Sequence, residues 1–264
     1  MLDIEALSPG SAPLLQRPEL LHRLRGAVGN VLAQWASAEA LRGQSCPFDP
    51  PCAFDLFHNA QGFLARGREI PKPFVLRADV RGKDLVLTLR LFGRAVAWAS
   101  EFQAGLVGGM RRGLEWPDTG PLALPVRMVL RHEVAPARPS RVGALRVATI
   151  TPLIQRGDDA SEDMIDPTSF VTGLANRLSG MAQWHGHTLV LDGAALRDRI
   201  RASQPEARGR TVPLARGRKT RRGFAGTLSF PDCDAAACLV LALGAECHAG
   251  ADTSTGAGRY RIET

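Results

Sequence analysis

His22 is followed at once by Arg23 and, two residues later, by Arg25. Phosphodiester cleavage uses such a set: a group that exchanges a proton near neutral pH, with fixed cations to hold the charge that builds on phosphorus. A second set stands far downstream in RGRTVPLARGRKTRR, where Arg208, Arg210, Arg216, Arg218, Lys219, Arg221 and Arg222 occur without a single acid. This run is internal and flanked by strand-like segments, including Gly226–Phe230, so it reads as a basic β-hairpin suited to an RNA phosphate track rather than as a solvated tail. Were six or seven of these cations each to meet a phosphate, log K against log salt would slope at about −5 to −6. The third set is a loop near the C-terminus with glycines at Gly244, Gly250, Gly256 and Gly258, running into Arg259-Tyr260-Arg261-Ile262. Glycines let a backbone approach a ligand closely and aim bare N–H groups at anionic oxygens, although a plain turn between a helix and an edge strand also uses them. As an anion cradle, this loop would offer Gly250, Thr253, Gly256, Gly258 and Arg259.

Two nucleotide motifs are excluded. A dinucleotide fingerprint opens a helix after a strand, whereas here the order is helix, loop, strand, and no G-K-[ST] follows four spacer residues anywhere in the chain. The formal net charge of +7 favours a polyanionic partner. Only Lys72, Lys83 and Lys219 are lysines, so 33 − 3 leaves 30 arginines, the cation that grips phosphate bidentately and stacks on bases. The five cysteines (Cys46, Cys52, Cys233, Cys238 and Cys247) form no C-x-x-C pair and read as free thiols, not a metal site. No apolar run approaches the roughly 18 residues of a membrane span, and the N-terminus lacks a secretion signal, so a cytoplasmic protein is expected. No residue set calls for a metal or cofactor.

These residues must be positioned by both helices and strands. Leu21, Leu24, Val28, Val31, Leu32 and Trp35 recur at helical spacing from about Pro18, leaving His22, Arg23 and Arg25 mainly off the apolar stripe. No first strand is legible before His22. His58, with Arg66 and Arg68 nearby, reads as part of a solvated loop. Phe74–Val80 and Asp84–Leu91 read as two strands, then a helix from about Ala95 to Arg112 and a strand from Leu122 to Val134. A proline-rich hinge at 135–140 divides the chain into expected domains 1–138 and 139–264. Beyond it come a strand at Leu145–Leu153, an acidic loop at Gly157–Asp166 and a helix at Thr168–His185. The basic hairpin and an apolar helical run from Ala235 complete the order. Both halves therefore follow an α+β plan of tandem ferredoxin-like (RRM-like) βαββαβ domains, the second bearing the glycine-rich loop.

Taken in order, several segments resemble the CRISPR repeat-RNA processing endoribonucleases of the RAMP superfamily. They are Leu24-Arg25-Gly26-Ala27-Val28-Gly29, Cys46-Pro47-Phe48, Pro73-Phe74-Val75-Leu76, Leu91-Phe92-Gly93-Arg94-Ala95-Val96 and Arg111-Arg112-Gly113-Leu114. The second half adds Thr151-Pro152-Leu153, Asn176-Arg177-Leu178, Gly223-Phe224-Ala225-Gly226 and the run from Ala242-Leu243-Gly244 to Tyr260 and Arg261. The resemblance implies metal-independent cleavage of a CRISPR repeat transcript. The ribose 2′-hydroxyl attacks the adjacent phosphate, leaving a 2′,3′-cyclic phosphate and a 5′-hydroxyl. It implies a histidine on or near the first helix as proton carrier, which His22 matches, with Arg23 or Arg25 stabilising charge; in some members arginines carry the chemistry. It also implies that the chain stays on its crRNA product and assembles with other CRISPR effector subunits. The alternative within the superfamily is a non-catalytic RNA-binding subunit that holds one end of the crRNA. Tyr260 is the only tyrosine, so no tyrosine partner exists in the first half.

Overall fold

A computed structural model describes residues 1–136, 142–154, 165–216 and 219–263, with the side chains of 215–220 set aside. Most of the hinge, the acidic loop up to residue 164 and Arg218 lie outside these residues, as do the side chains of Arg216 and Lys219. The chain divides into two compact units, Met1–Val134 and Ala135–Thr264.

In the first unit the elements are β1 (Leu2–Ser8), α1 (Leu20–Leu32), β2 (Phe74–Arg81), β3 (Asp84–Leu91), α2 (Ala99–Arg112) and β4 (Met128–Glu133). The sheet order is β2-β3-β1-β4, with every neighbour antiparallel. In the second unit they are β5 (Gly143–Thr149), α3 (Pro167–Trp184), α4 (Gly193–Ala202), β6 (Glu206–Arg216), β7 (Lys219–Cys233), α5 (Ala235–Cys247) and β8 (Tyr260–Glu263). Its order, β6-β7-β5-β8, repeats the first, again antiparallel throughout. Each unit is thus a βαββαβ ferredoxin-like fold, the tandem arrangement expected from the sequence.

Four expectations need correction, the last of them at His58. The first strand does exist: β1 lies inside its sheet between β3 and β4, with Ile4 and Ala6 fully buried. Asp3 interrupts the apolar pattern, because it is a buried carboxylate held by Arg90 through Nε–Oδ1 and Nη2–Oδ2 contacts of 2.5 Å each. The strand expected from Leu122 begins only at Met128; Leu122 belongs to a small hairpin, Leu114–Trp116 with Gly120–Leu122. The helix expected from Ala95 opens as a 3₁₀ segment, Gly93–Trp98, before α2 proper.

The core of the first unit explains where its polar residues fall. Leu20, Leu24, Val28, Val31 and Leu32 of α1 are buried. Leu85, Leu87, Leu89 and Leu91 line the inner face of β3 with no exposed surface. α1 and α2 come close because α2 is glycine-rich there: a Cβ on Gly109 would stand 2.9 Å from the Ala27 carbonyl carbon. Phe57 stacks on Phe74 at 4.6 Å between centroids, and Phe102 lies 5.9 Å from both. This trio seats a short helix, Ala53–His58, against the core, so His58 is a helix end and not part of a free loop.

Candidate functional site

On α1, His22, Arg25 and Gly29 lie three and four residues apart, within about 60° of arc at roughly 100° per residue. Arg23 is turned away from that face. Its guanidinium pairs with Glu19, donates to the Glu115 carbonyl and lies 4.9 Å from the centroid of the Trp116 ring. Arg17 covers the same ring at 4.5 Å. Arg23 is therefore a buttress between α1 and the 114–122 hairpin. The three residues expected to share the chemistry are split, with His22 and Arg25 on one side and Arg23 on the other.

Arg25 reaches the short helix instead. Its Nη2 donates to the Phe57 carbonyl at 3.2 Å, with the guanidinium 5.2 Å from the Phe57 centroid. The next residue, His58, stacks on Phe54 at 4.6 Å and packs its Nε2 against Gly29 of α1. A Cβ on Gly29 would stand 2.4 Å from that nitrogen, so only glycine admits the imidazole there. His58 keeps an exposed edge. Desolvation of the packed ring, reinforced by the charges of Arg25 and Lys72, lowers its pKa to about 4. Lys72 donates its ammonium to the Asn59 carbonyl. Burial, then Arg25, lowers the Lys72 pKa to about 8, and Glu69 and Asp55 offset this in part.

Asp55 fixes the far side of this cluster. Its Oδ1 accepts from Asn59 Nδ2 at 2.7 Å and its Oδ2 from Gln61 Nε2 at 3.0 Å, and Asn59 also bonds the Ala40 carbonyl. The first unit thus gathers a neutral imidazole, a guanidinium and an ammonium beside the α1 face that bears His22. Sequence reasoning missed His58 and Lys72 as site residues. The legible signal was Gly29, a residue without a side chain on the polar face of a helix.

In the second unit the expected basic hairpin is present as β6 and β7. Registers Arg208↔Thr227, Arg210↔Ala225 and Leu214↔Arg221 put Arg208, Arg210 and Arg221 on one face, opposite the buried Phe224, Leu228 and Phe230. Arg222 is on the other face, beyond Phe224 toward the turn, and all four of these arginines are exposed. Gly209 pairs with Gly226, and the Phe224 ring edge lies 2.7 and 2.8 Å from the Cβ positions that the two glycines leave empty.

The glycine-rich loop joins this hairpin through Thr151–Ile154. Leu153 and Phe224 exchange N–H···O bonds of 2.8 and 2.9 Å, Ala251 N–H bonds Ile154 O, and Gly258 N–H bonds Pro152 O. Thr151 Oγ1 donates to Gly256 O and accepts from Arg259 N–H. Arg221 reaches Asp252 of the loop at 3.5 Å. The N–H groups of Ala249, Ala251, Gly256, Gly258 and Arg259 are therefore engaged within the unit and are not bare donors. Gly250 and Gly258 have φ of +77° and +72°, and a Cβ would stand 2.2 Å from Ile154 O and 1.8 Å from Ala249 O, respectively. Close backbone packing demands both. Thr253 is buried in the 3₁₀ turn that Gly256 closes.

Comparison with known proteins agrees with this fold. Residues 146–260 match the family model described as CRISPR-associated endoribonuclease Cas6. Residues 146–260 thus form a Cas6-family domain. Residues 22–121 match a second family, the N-terminal domain AF_1859_N. Among curated proteins none matches the chain. Among solved structures, a Cas6 product complex is 20% identical, with all of both chains covered and a TM-score of 0.56. Thermus thermophilus Cas6 is 15% identical over 99% of this chain and 97% of that one, with a TM-score of 0.57. A structure described as an RAMP protein binding different RNA substrates is 11% identical over all of both chains, at 0.52. These identities speak for the fold. The family matched by these residues is one of CRISPR-associated endoribonucleases. No helix among the described residues is long and apolar enough to cross a membrane.

Proposed function

We propose that this chain is a metal-independent endoribonuclease that cuts CRISPR repeat transcripts and stays bound to the crRNA. The 2′-hydroxyl attacks the neighbouring phosphate, giving a 2′,3′-cyclic phosphate and a 5′-hydroxyl. Because the nucleophile is part of the RNA, the protein has to supply a base, an acid and cations for the phosphorane. The supporting observation is the cluster of Arg25, His58 and Lys72 next to the α1 face that carries His22. His58 is neutral at pH 7 and fit to accept the 2′ proton, Lys72 and Arg25 are cations, and His22 is the second proton carrier on the same helix face. Arg23 acts by holding α1 in place. The exposed arginines of the hairpin (Arg208, Arg210, Arg221 and Arg222) track the phosphates, with Arg216, Arg218 and Lys219 continuing the run. The loop from Gly250 to Arg259 braces that hairpin, and Thr253, Gly256 and Gly258 shape the brace. The retained product is then available to other CRISPR effector subunits.

The deciding experiment reads the repeat from the RNA that co-purifies with the chain, incubates the chain in EDTA with a synthetic uncut transcript of that repeat, and sequences and chemically maps the product ends. A uniform cut with a cyclic phosphate is the expected outcome. Tight binding of intact repeat without cleavage would assign the chain instead to the non-catalytic subunits that hold one end of the crRNA.

A further inference from the structure

Three of the five cysteines are buried, whereas Cys46 and Cys52 are half-exposed and lie against each other. The Cys52 N–H donates to Cys46 Sγ at 3.3 Å, and the two thiols are themselves hydrogen-bonded. Both also bond to Ser37, just beyond α1, and Trp98 Nε1 donates to Pro51 O at 2.8 Å, so the loop between them is anchored at several points. Slight burial pushes the Cys46 thiol up, but bonds from the Cys52 N–H, Ser37 and the Phe48 backbone outweigh it and hold it below the ordinary value. Burial raises Cys52 and Cys238, and pushes Cys233 up to about 12. Thiolate character and exposure select the reactive cysteine, and here both select Cys46, with a resolving thiol in contact.

We propose that Cys46 and Cys52 form a reversible disulfide on meeting a hydroperoxide, a redox clip at the start of the helix that ends in His58, and that closing it slows cleavage. Cys46 sulfur attacks a peroxide oxygen, forming an S–O bond as the O–O bond breaks and releasing an alcohol, or water from hydrogen peroxide. Cys52 sulfur then attacks the sulfenic sulfur, forming the S–S bond and releasing water with the Cys52 proton. Two thiols are oxidised and one peroxide is reduced. Drawing the sulfurs from hydrogen-bond contact to about 2.05 Å moves Cys52. Cys52 is the N-cap residue of Ala53–His58, so that shift is passed along the short helix to His58 and displaces its ring from Gly29. The regulatory part rests on the endoribonuclease reading, whereas the disulfide does not.

The test treats the whole chain with hydrogen peroxide and measures intact mass, thiol count and peptide links, beside Cys46→Ser and Cys52→Ser. A loss of about 2 Da, a mapped Cys46–Cys52 link and full reversal by dithiothreitol are expected in the natural chain and in neither variant. Oxidation of Cys46 to sulfinic acid with no link would overturn the disulfide. Repeat cleavage should fall at least fivefold on oxidation of the natural chain and not of Cys52→Ser. A linked chain that cuts at the reduced rate would overturn the regulation. A reduced chain that does not cut at all would instead fail the endoribonuclease reading, with the mass measurement still deciding the clip.

Discussion

At pH 7 a histidine with a pKa of about 4 is a base waiting for a proton, and an ammonium with a pKa of about 8 is still mostly charged. If His58 takes the 2′ proton and Lys72 stabilises the phosphorane, cleavage must rise as pH climbs through about 4 and fall as it passes about 8. The expected single-turnover profile is a broad bell, and His58→Ala should remove its acid limb and lower the plateau by about 10²-fold or more, since proton transfer contributes that much. A profile with one limb near 6.5 would assign the base to an unperturbed histidine. His22→Ala is expected to cut the rate strongly with repeat binding retained; an unchanged rate leaves the proton work to His58. Stability has its own sign. The folded His58 refuses a proton that the unfolded chain accepts, so stability falls as pH drops from about 6.5 to about 4. Such residues were only partly legible. His22 and Arg25 stood out by type and spacing, but the contact that depresses His58 is made across α1 with a residue that has no side chain.

The elements explain which parts of the sequence spoke clearly. Leu85 to Leu91 alternate without interruption and β3 is where they predict it, whereas β1 carries Asp3 in a buried position because Arg90 lies opposite it. A charge whose partner is 87 residues away cannot be read from a local pattern. The hairpin was legible because its cations fall between strand-like flanks, but the loop beside it looked like an anion cradle because glycine composition cannot distinguish a bare N–H from a tightly packed one. Two substitutions separate these roles. Gly29→Ala adds a Cβ 2.4 Å from His58 Nε2, and the imidazole, which belongs to an exposed side chain, is what yields. Helix propensity then favours the variant by up to about 1 kcal/mol. Cleavage should therefore drop while the melting temperature holds or rises, and a variant cutting at the natural rate would remove His58 from the reaction. Gly258→Ala is the opposite case. Its φ of +72° and the Ala249 carbonyl leave a Cβ no place, so a loss of about 2–4 kcal/mol is expected by denaturant titration. Any loss of RNA binding in that variant should follow the unfolding.

Over the whole molecule, 33 basic residues stand against 26 acidic ones, and the largest uninterrupted share of the surplus lies in 208–222. Binding of RNA should then be governed by counterion release, with log K falling about 0.9 per log unit of salt for each phosphate met on a duplex and about 0.7 on a single strand. Among the described hairpin cations, Arg208 pairs with Glu206 at 2.9 Å and Arg221 with Asp252 at 3.5 Å. The Arg208–Glu206 pair is exposed, and pairs of this kind are worth only about 0–1 kcal/mol, less than a charge-assisted bond to phosphate, so Arg208 yields to the RNA. Arg208→Ala combined with Arg210→Ala should make the salt slope shallower by about 1.4–1.8, from a starting value of about −5 to −6. Both side chains are exposed and face away from the core, so stability should stay within about 0.5 kcal/mol of the natural chain. Filter binding across a salt series, with melting measured on the same samples, checks both quantities. An unchanged slope with weakened binding would mean that these arginines meet bases or the 2′-hydroxyls, and the phosphate track would have to be sought on another surface of the protein.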